Sequence, residues 1–372
     1  MQLREFLVET WLNPRVDAKY NMGSSGVKSI AIDELFELIG GDINEFLKEV
    51  KSLNMHYGHF FGFERLKIAV SKMYKNQNPD LILTTHAGTG ANHMVLAEFG
   101  TPGTNVVAIV PNYQQHYSIP EALGTEVRYV WLKEENSYQP DINEIRAAVD
   151  EKTSIIAFSN PNNPTGAFIE EALLKEICAI AEKVDAIVLS DEIYRGLRET
   201  YMPSAVDFYK KGVVTSSMSK VLSMAGTRVG WIATNDKGIH DRLETRRSFD
   251  TICGGIFDEW ITAIALEHFD KILERNRNIV KENRAVVEKW LANEPHLSGK
   301  VFNDSPIAFL KYDFDISATE FGERLYKEPS ILVCHGDCFD VPKSFRLGFG
   351  YIDKKILAEG LQVFSKFMST LK

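Results

Sequence analysis

From about residue 80 the chain alternates short β-branched runs with amphipathic helical stretches, and few folds can accommodate that rhythm. The runs are Leu81 to Thr85, Asn105 to Val110, Val127 to Leu132, Ser154 to Ser159, Ala186 to Ser190, Val213 to Ser217 and Val229 to Ala233. Alternation of this kind is the signature of βαβ units, in which each helix carries the chain back to add a parallel strand. Most of the runs are apolar on both faces, so helices must cover the sheet on each side. The stretch 170–184 has the matching helical spacing of Leu, Ile and Ala. The expected fold is therefore α/β, with a mainly parallel seven-stranded sheet in a large domain.

The texture changes after Asp258. Leu, Ile and Val recur there at three- and four-residue intervals among Glu, Lys and Arg, and the pattern predicts one long helix to about Asn293 that connects two domains. Strand-like Ile307 to Tyr312, Ile331 to Cys334 and Phe345 to Phe349, then a closing helix from Asp353, predict a small α+β domain. The expected division is a large domain over 46–275, a C-terminal small domain over 276–372, and an N-terminal segment 1–45 that joins the small domain and covers the active site. A length of 372 residues suits two domains.

Charge and cysteine content narrow the function classes. Acidic residues outnumber basic ones 51 to 42, with no Lys/Arg block to neutralise a phosphate backbone, so no nucleic-acid partner is expected. No apolar run approaches the ~20 residues of a membrane helix, so no membrane partner is expected either. Four cysteines are too few for a disulfide scaffold, and the Met-Gln-Leu-Arg-Glu start lacks the layout of a secretory leader. A cytoplasmic location is the expectation. Cys334-His-Gly-Asp-Cys338 offers metal-ligand residue types but no second ligand pair, and no metal is expected.

The strongest local signal is Thr215-Ser-Ser-Met-Ser-Lys220 at a strand end, with Arg228 eight residues on. A lysine facing a cleft among hydroxyls, followed by an arginine, suits Schiff-base chemistry beside a phosphate. Ala87-Gly-Thr-Gly-Ala91 follows one strand and opens a helix, so its backbone N–H groups can meet an anion. Three further segments occur in order: Ser159-Asn-Pro-Asn-Asn-Pro-Thr-Gly166, Ser190-Asp-Glu-Ile-Tyr194 and Phe345-Arg346. Together these motifs closely resemble those of the fold type I pyridoxal-phosphate (PLP) enzymes, the aspartate aminotransferase superfamily, over nearly the whole chain.

The resemblance implies PLP as cofactor, an α-amino acid as substrate, and a homodimer with shared active sites. It implies that Lys220 carries the cofactor and acts as the proton-transfer base, and that Asp191 pairs with the pyridine nitrogen. Asn163 and Tyr194 would bond the ring 3-oxygen, while Tyr113 stacks on the ring. Gly88, Thr89, Ser217 and Arg228 would form the phosphate cup, joined by Tyr57 from the neighbouring subunit. Arg346 would grip the substrate carboxylate, a task that favours its planar, bidentate fork.

The N-terminal segment bears on the reaction. Glu9-Thr-Trp-Leu12, Ala18-Lys-Tyr-Asn-Met-Gly-Ser-Ser-Gly-Val27 and Asp33-Glu-Leu35 resemble the cyclases of hydroxylated arginine, such as capreomycidine synthase and the related L-enduracididine cyclase of guanitoxin biosynthesis. That likeness implies a dehydration with cyclisation of a hydroxylated L-arginine, 4-hydroxy-L-arginine to L-enduracididine being the expectation. Glu9 is the candidate to receive a guanidinium, and Ser24 and Ser25 to hold a hydroxyl or a guanidinium nitrogen. Asn-Asn-Pro-Thr-Gly and Asp-Glu-Ile-Tyr are equally at home in ordinary aminotransferases, which are the alternative. Capreomycidine-type cyclases of 3-hydroxyarginine and PLP-dependent arginine oxidases are further ones. His56, His59 and His86 flank the same regions and read as packing or capping groups.

Overall fold

The computed structural model describes residues 2–371. Its strands are β1 (Tyr20–Asn21), β2 (Ile82–His86), β3 (Asn105–Val110), β4 (Glu126–Trp131), β5 (Thr153–Ser159), β6 (Ile187–Asp191), β7 (Gly212–Ser217), β8 (Val229–Thr234), β9 (Leu297–Lys300), β10 (Ile307–Tyr312), β11 (Ile331–Leu332), β12 (Cys334–His335) and β13 (Ser344–Gly348). The central sheet has the order β2-β8-β7-β6-β5-β3-β4. All its strands run parallel except β8, which is antiparallel to both neighbours. Every residue of β3, β7 and β8 is buried. The strand β4 is a sheet edge and alternates instead, leaving Tyr129 and Trp131 exposed. The sheet therefore stands within a residue or two of where the β-branched runs place it.

Around β10 a second sheet forms in the order β12-β13-β10-β9, antiparallel throughout. Phe321, from the helix Ala318–Lys327, stacks on Tyr312 and Phe345 there and packs against Phe364 of the closing helix Lys354–Met368. The N-terminal strand β1 pairs in parallel with β11. The chain then runs between the two sheets: Met22 N donates to Leu332 O at 2.9 Å, Gly348 N to Met22 O at 2.7 Å, and Val27 N to Lys220 O at 3.1 Å.

Two elements differ from the sequence reading. The long helix is two helices, Ile256–Glu267 and Phe269–Leu291, interrupted at His268, whose φ of −122° lies outside the helical range. The first packs on the helix Glu64–Ser71 and the second on Lys354–Met368, so a straight rod could not satisfy both. The strand expected over Ile331 to Cys334 is split at Val333, whose carbonyl accepts the Trp11 indole N–H at 2.7 Å instead of continuing a ladder. Among the described residues no helix is long and apolar enough to cross a membrane.

Candidate active site

Parallel strands present their C-terminal ends along one edge, where α/β sheets bind ligands. Register sets Ser159 of β5 beside Asp191 of β6, and Asp191 beside Thr215 of β7. The Asp191 carboxylate is buried and held by two donors, Asn92 Nδ2 to Oδ2 at 2.7 Å and Ile193 N to Oδ1 at 3.1 Å. The carboxylate accepts only, so it turns the Asn92 nitrogen toward itself, and Thr215 Oγ1 donates to the remaining Asn92 Oδ1 at 2.6 Å. His116 is fully buried 3.6 Å from the same carboxylate, and neither ring nitrogen has a hydrogen-bond partner.

A cleft of about 370 Å³ opens from this edge. Lys220, Asp191, Tyr194, Asn163, Tyr113, Ser217, Gly88, Thr89, Arg228 and Arg346 line it, and so do Glu9, Ser24 and Ser25. The cleft thus collects every sequence-singled site residue except Tyr57. Lys220 follows β7. Burial pushes its amine down from 10.5 to about 8, helped by the Arg346 charge and opposed by Glu9 and Asp191.

A glycine-lined corner forms where β2 ends and β8 begins. Ala87 N donates to Arg228 O at 2.8 Å, and both residues take left-handed backbone, at φ 59° and 53°. That turn points the start of the helix Ala87–Phe99 at Ser217, whose Oγ accepts from Ser219 N at 3.1 Å. A Cβ on Gly88 would come within 3.3 Å of Ile193 Cδ1 and 3.6 Å of Ser217 Oγ, so glycine keeps this corner open.

Arg346, on β13, lines the same cleft and is 2% exposed. Its Nη1 donates to Asn163 Oδ1 at 2.8 Å and its Nη2 to Gly23 O at 2.9 Å, while Nε has no partner. Tyr194 is fully buried with an unpartnered hydroxyl. Burial pushes its phenol up, and the nearby Arg346 charge and Ser25 hydroxyl offset part of that. Glu9 sits on helix α1 (Leu7–Leu12) and accepts from the Tyr113 hydroxyl at 3.2 Å. Burial, and then that carboxylate, push the Tyr113 phenol up as well.

Tyr57 stands outside this chain's cleft, 61% exposed, beside exposed Met55, Phe60 and Phe61. His59 stacks on Phe63 at 4.6 Å, and His86 lines a separate small cavity with Arg247 and Glu259. Cys334 and Cys338 are buried, and among the described residues no group of three His, Cys, Asp or Glu could hold a metal. Sequence reasoning missed Asn92, His116 and Gln114. The first two lie inside helix-forming stretches and have no motif, and the partners of Gln114 are more than 100 residues away.

The orphaned Tyr194 hydroxyl, the lysine with its lowered pKa and the open glycine corner suit an aromatic aldehyde cofactor with a phosphate arm. The family model described as aminotransferase class I and II matches residues 43–364, and the chain belongs to that family. It is a PLP-dependent enzyme, with PLP as its cofactor. Among its relatives, capreomycidine synthase of Streptomyces vinaceus is 27% identical over 98% of this chain and 93% of its own length. The crystal structure of a PLP-dependent aminotransferase from Streptococcus suis is 36% identical over 100% of this chain and 99% of that one, with a TM-score of 0.96. A PLP-dependent cyclase, OrfR, shares the fold at a TM-score of 0.89 and 19% identity, covering 99% and 98%.

Proposed function

We propose that this enzyme is a PLP-dependent cyclase of a hydroxylated L-arginine, with 4-hydroxy-L-arginine as substrate and L-enduracididine as product. The observation that carries the reading is Glu9: a carboxylate on the cleft wall, its side chain bonded among the described residues to the Tyr113 hydroxyl alone, in a cleft that the Arg346 guanidinium also lines. A substrate that carries both a carboxylate and a cation would pair with that guanidinium and that carboxylate. The likeness to capreomycidine synthase over 98% of the chain supports it.

When bound, the cofactor supplies an electron sink for the carbon that bears the substrate amino group. In this reading Lys220 Nζ would hold the cofactor and would take the Cα proton of the substrate, a role served by an amine lowered to about 8. Asp191 would keep a proton on the ring nitrogen, Tyr194 and Asn163 would hold the ring 3-oxygen, and Tyr113 would support the ring. Ser217, Arg228 and the backbone of Gly88 and Thr89 would hold the phosphate. Arg346 binds the substrate carboxylate and Glu9 orients the guanidinium, with Ser24 and Ser25 near the hydroxyl. Loss of the Cα and Cβ protons lets the Cγ hydroxyl leave as water. A guanidine nitrogen then bonds to Cγ and gives up its proton, which balances the one taken by the departing water, and protons return to Cβ and Cα.

The reading includes a homodimer in which the partner subunit's Tyr57 completes the phosphate cup. The exposed Met55, Tyr57, Phe60, Phe61 and Phe249 support it, since so much apolar surface in one region marks an interface. A monomeric holoenzyme in sedimentation would remove that element. A plain aminotransferase is the second reading, favoured by the Streptococcus suis relative. Incubation with 4-hydroxyarginine, 3-hydroxyarginine and arginine plus pyruvate separates them by product mass. Loss of one water without a co-substrate is the expected outcome, whereas alanine formed only with pyruvate would sink the cyclase.

A further inference from the structure

Helix α1 is six residues long, too short to hold its turns unaided. Its N-cap is Phe6, whose side chain cannot accept from the first-turn N–H groups. The missing acceptor comes from far along the chain. Gln114 Oε1 accepts from Leu7 N at 3.0 Å, and Gln114 Nε2 donates to Glu5 O at 2.7 Å. Gln114 is 3% exposed, so its own side of both bonds is buried, while Glu5 and Leu7 remain exposed. It directly follows Tyr113, whose hydroxyl meets Glu9 and whose ring lies 5.0 Å from that of Phe6. The other end of α1 is fastened elsewhere. Trp11 is buried with its indole N–H on Val333 O, its ring edge-on to His335 at 4.5 Å and under the Arg15 guanidinium at 3.9 Å.

We propose that Gln114 is a positioning residue that sets the preference for a cationic substrate side chain, by capping α1 and so holding Glu9 at the cleft. The proposal rests on the reading of Glu9 as the guanidinium acceptor. Gln114 does not line the cleft, so it acts only through the helix it caps. Without its amide the Trp11 end stays docked while the first turn frays, and Glu9 lies in that turn.

The test compares holoenzymes of the wild type, Gln114→Met, Gln114→Glu and Glu9→Gln. Each is titrated calorimetrically with L-arginine and with L-norvaline, which keeps the aliphatic chain and lacks the guanidinium, and hydrogen exchange is followed over residues 7–10. In Gln114→Met the preference for arginine over norvaline should fall about tenfold, the size of a lost charge-assisted contact, with faster exchange in the first turn. Gln114→Glu keeps the acceptor for Leu7 N and should recover part of the preference. An unchanged preference in Gln114→Met, while Glu9→Gln lowers it, overturns the positioning role and leaves the guanidinium reading intact. An unchanged preference in Glu9→Gln removes that reading and the proposal with it. If Gln114→Met does not fold, Gln114→Glu decides: wild-type preference despite loosened exchange overturns the proposal.

Discussion

Asp191 and Glu9 are both carboxylates within electrostatic reach of Lys220, yet they are held in different ways. Asp191 ends a central strand, is buried, and is gripped by two donors, one of them locked in turn by Thr215. Glu9 stands on six residues of helix, half-buried, with one 3.2 Å contact to a phenol. The difference separates two tasks. Asp191, the group proposed to serve the cofactor, is fixed by the sheet that also makes the hydrophobic core, so it cannot drift without unfolding that core. The group that would read the substrate side chain hangs on a strap with borrowed caps, and such a strap can change its reading without disturbing the floor.

The comparison is sharpened most by Lys220→Ala. Loss of the attachment point and the base should erase the visible absorbance of the bound cofactor and lower turnover by on the order of a thousandfold or more. Retained activity would break the assignment of the floor. Glu9→Gln is expected to act at the rim alone. Binding of arginine-like ligands should weaken roughly tenfold or more, the range of a hydrogen bond to a charged group, with a smaller change for norvaline. Equal losses would erase the distinction between floor and rim.

The smallest effect is on pH. Only the neutral amine of Lys220 attacks an aldehyde, so cofactor uptake by the apoenzyme should speed up as pH rises and level off above about 8. Glu9 favours the charged amine, so Glu9→Gln should move that midpoint to lower pH. A lowered lysine pKa means that the unfolded chain binds more protons between about 8 and 10.5, so this group makes the apoenzyme more stable as pH rises across that window. Uptake independent of pH from 6 to about 9 would count against the buried amine.

Much of this was legible from residue order. Strands buried on both faces write themselves as unbroken β-branched runs, so the sheet could be placed closely from Val, Ile and Ala alone. Lys220, Asp191, Asn163 and Arg346 could be found because each sits in a local motif. What escaped depends on pairing across distance. Asn92 looks like any polar residue in a helix until Asp191 and Thr215 arrive beside it, and nothing near Gln114 marks it as the cap of a helix 107 residues earlier. The break at His268 is silent too, because apolar spacing continues through it, and β1 is too short to leave a period.

Position 191 has a chemical consequence of its own. Asn92 and Ile193 both bring hydrogens to it, one to each oxygen, and because an ionised carboxylate only accepts, the Asn92 amide must turn its nitrogen to Asp191 and its oxygen to the Thr215 hydroxyl. An isosteric asparagine there would have one oxygen to offer, and Asn92 and Thr215 would both have to reverse their hydrogen bonds to meet its amide. The backbone and two side chains thus spell out a socket for two lone-pair-bearing atoms, much as a keyway admits one blank. The preference for an acid over an amide at 191 is cut into the protein before any ligand arrives.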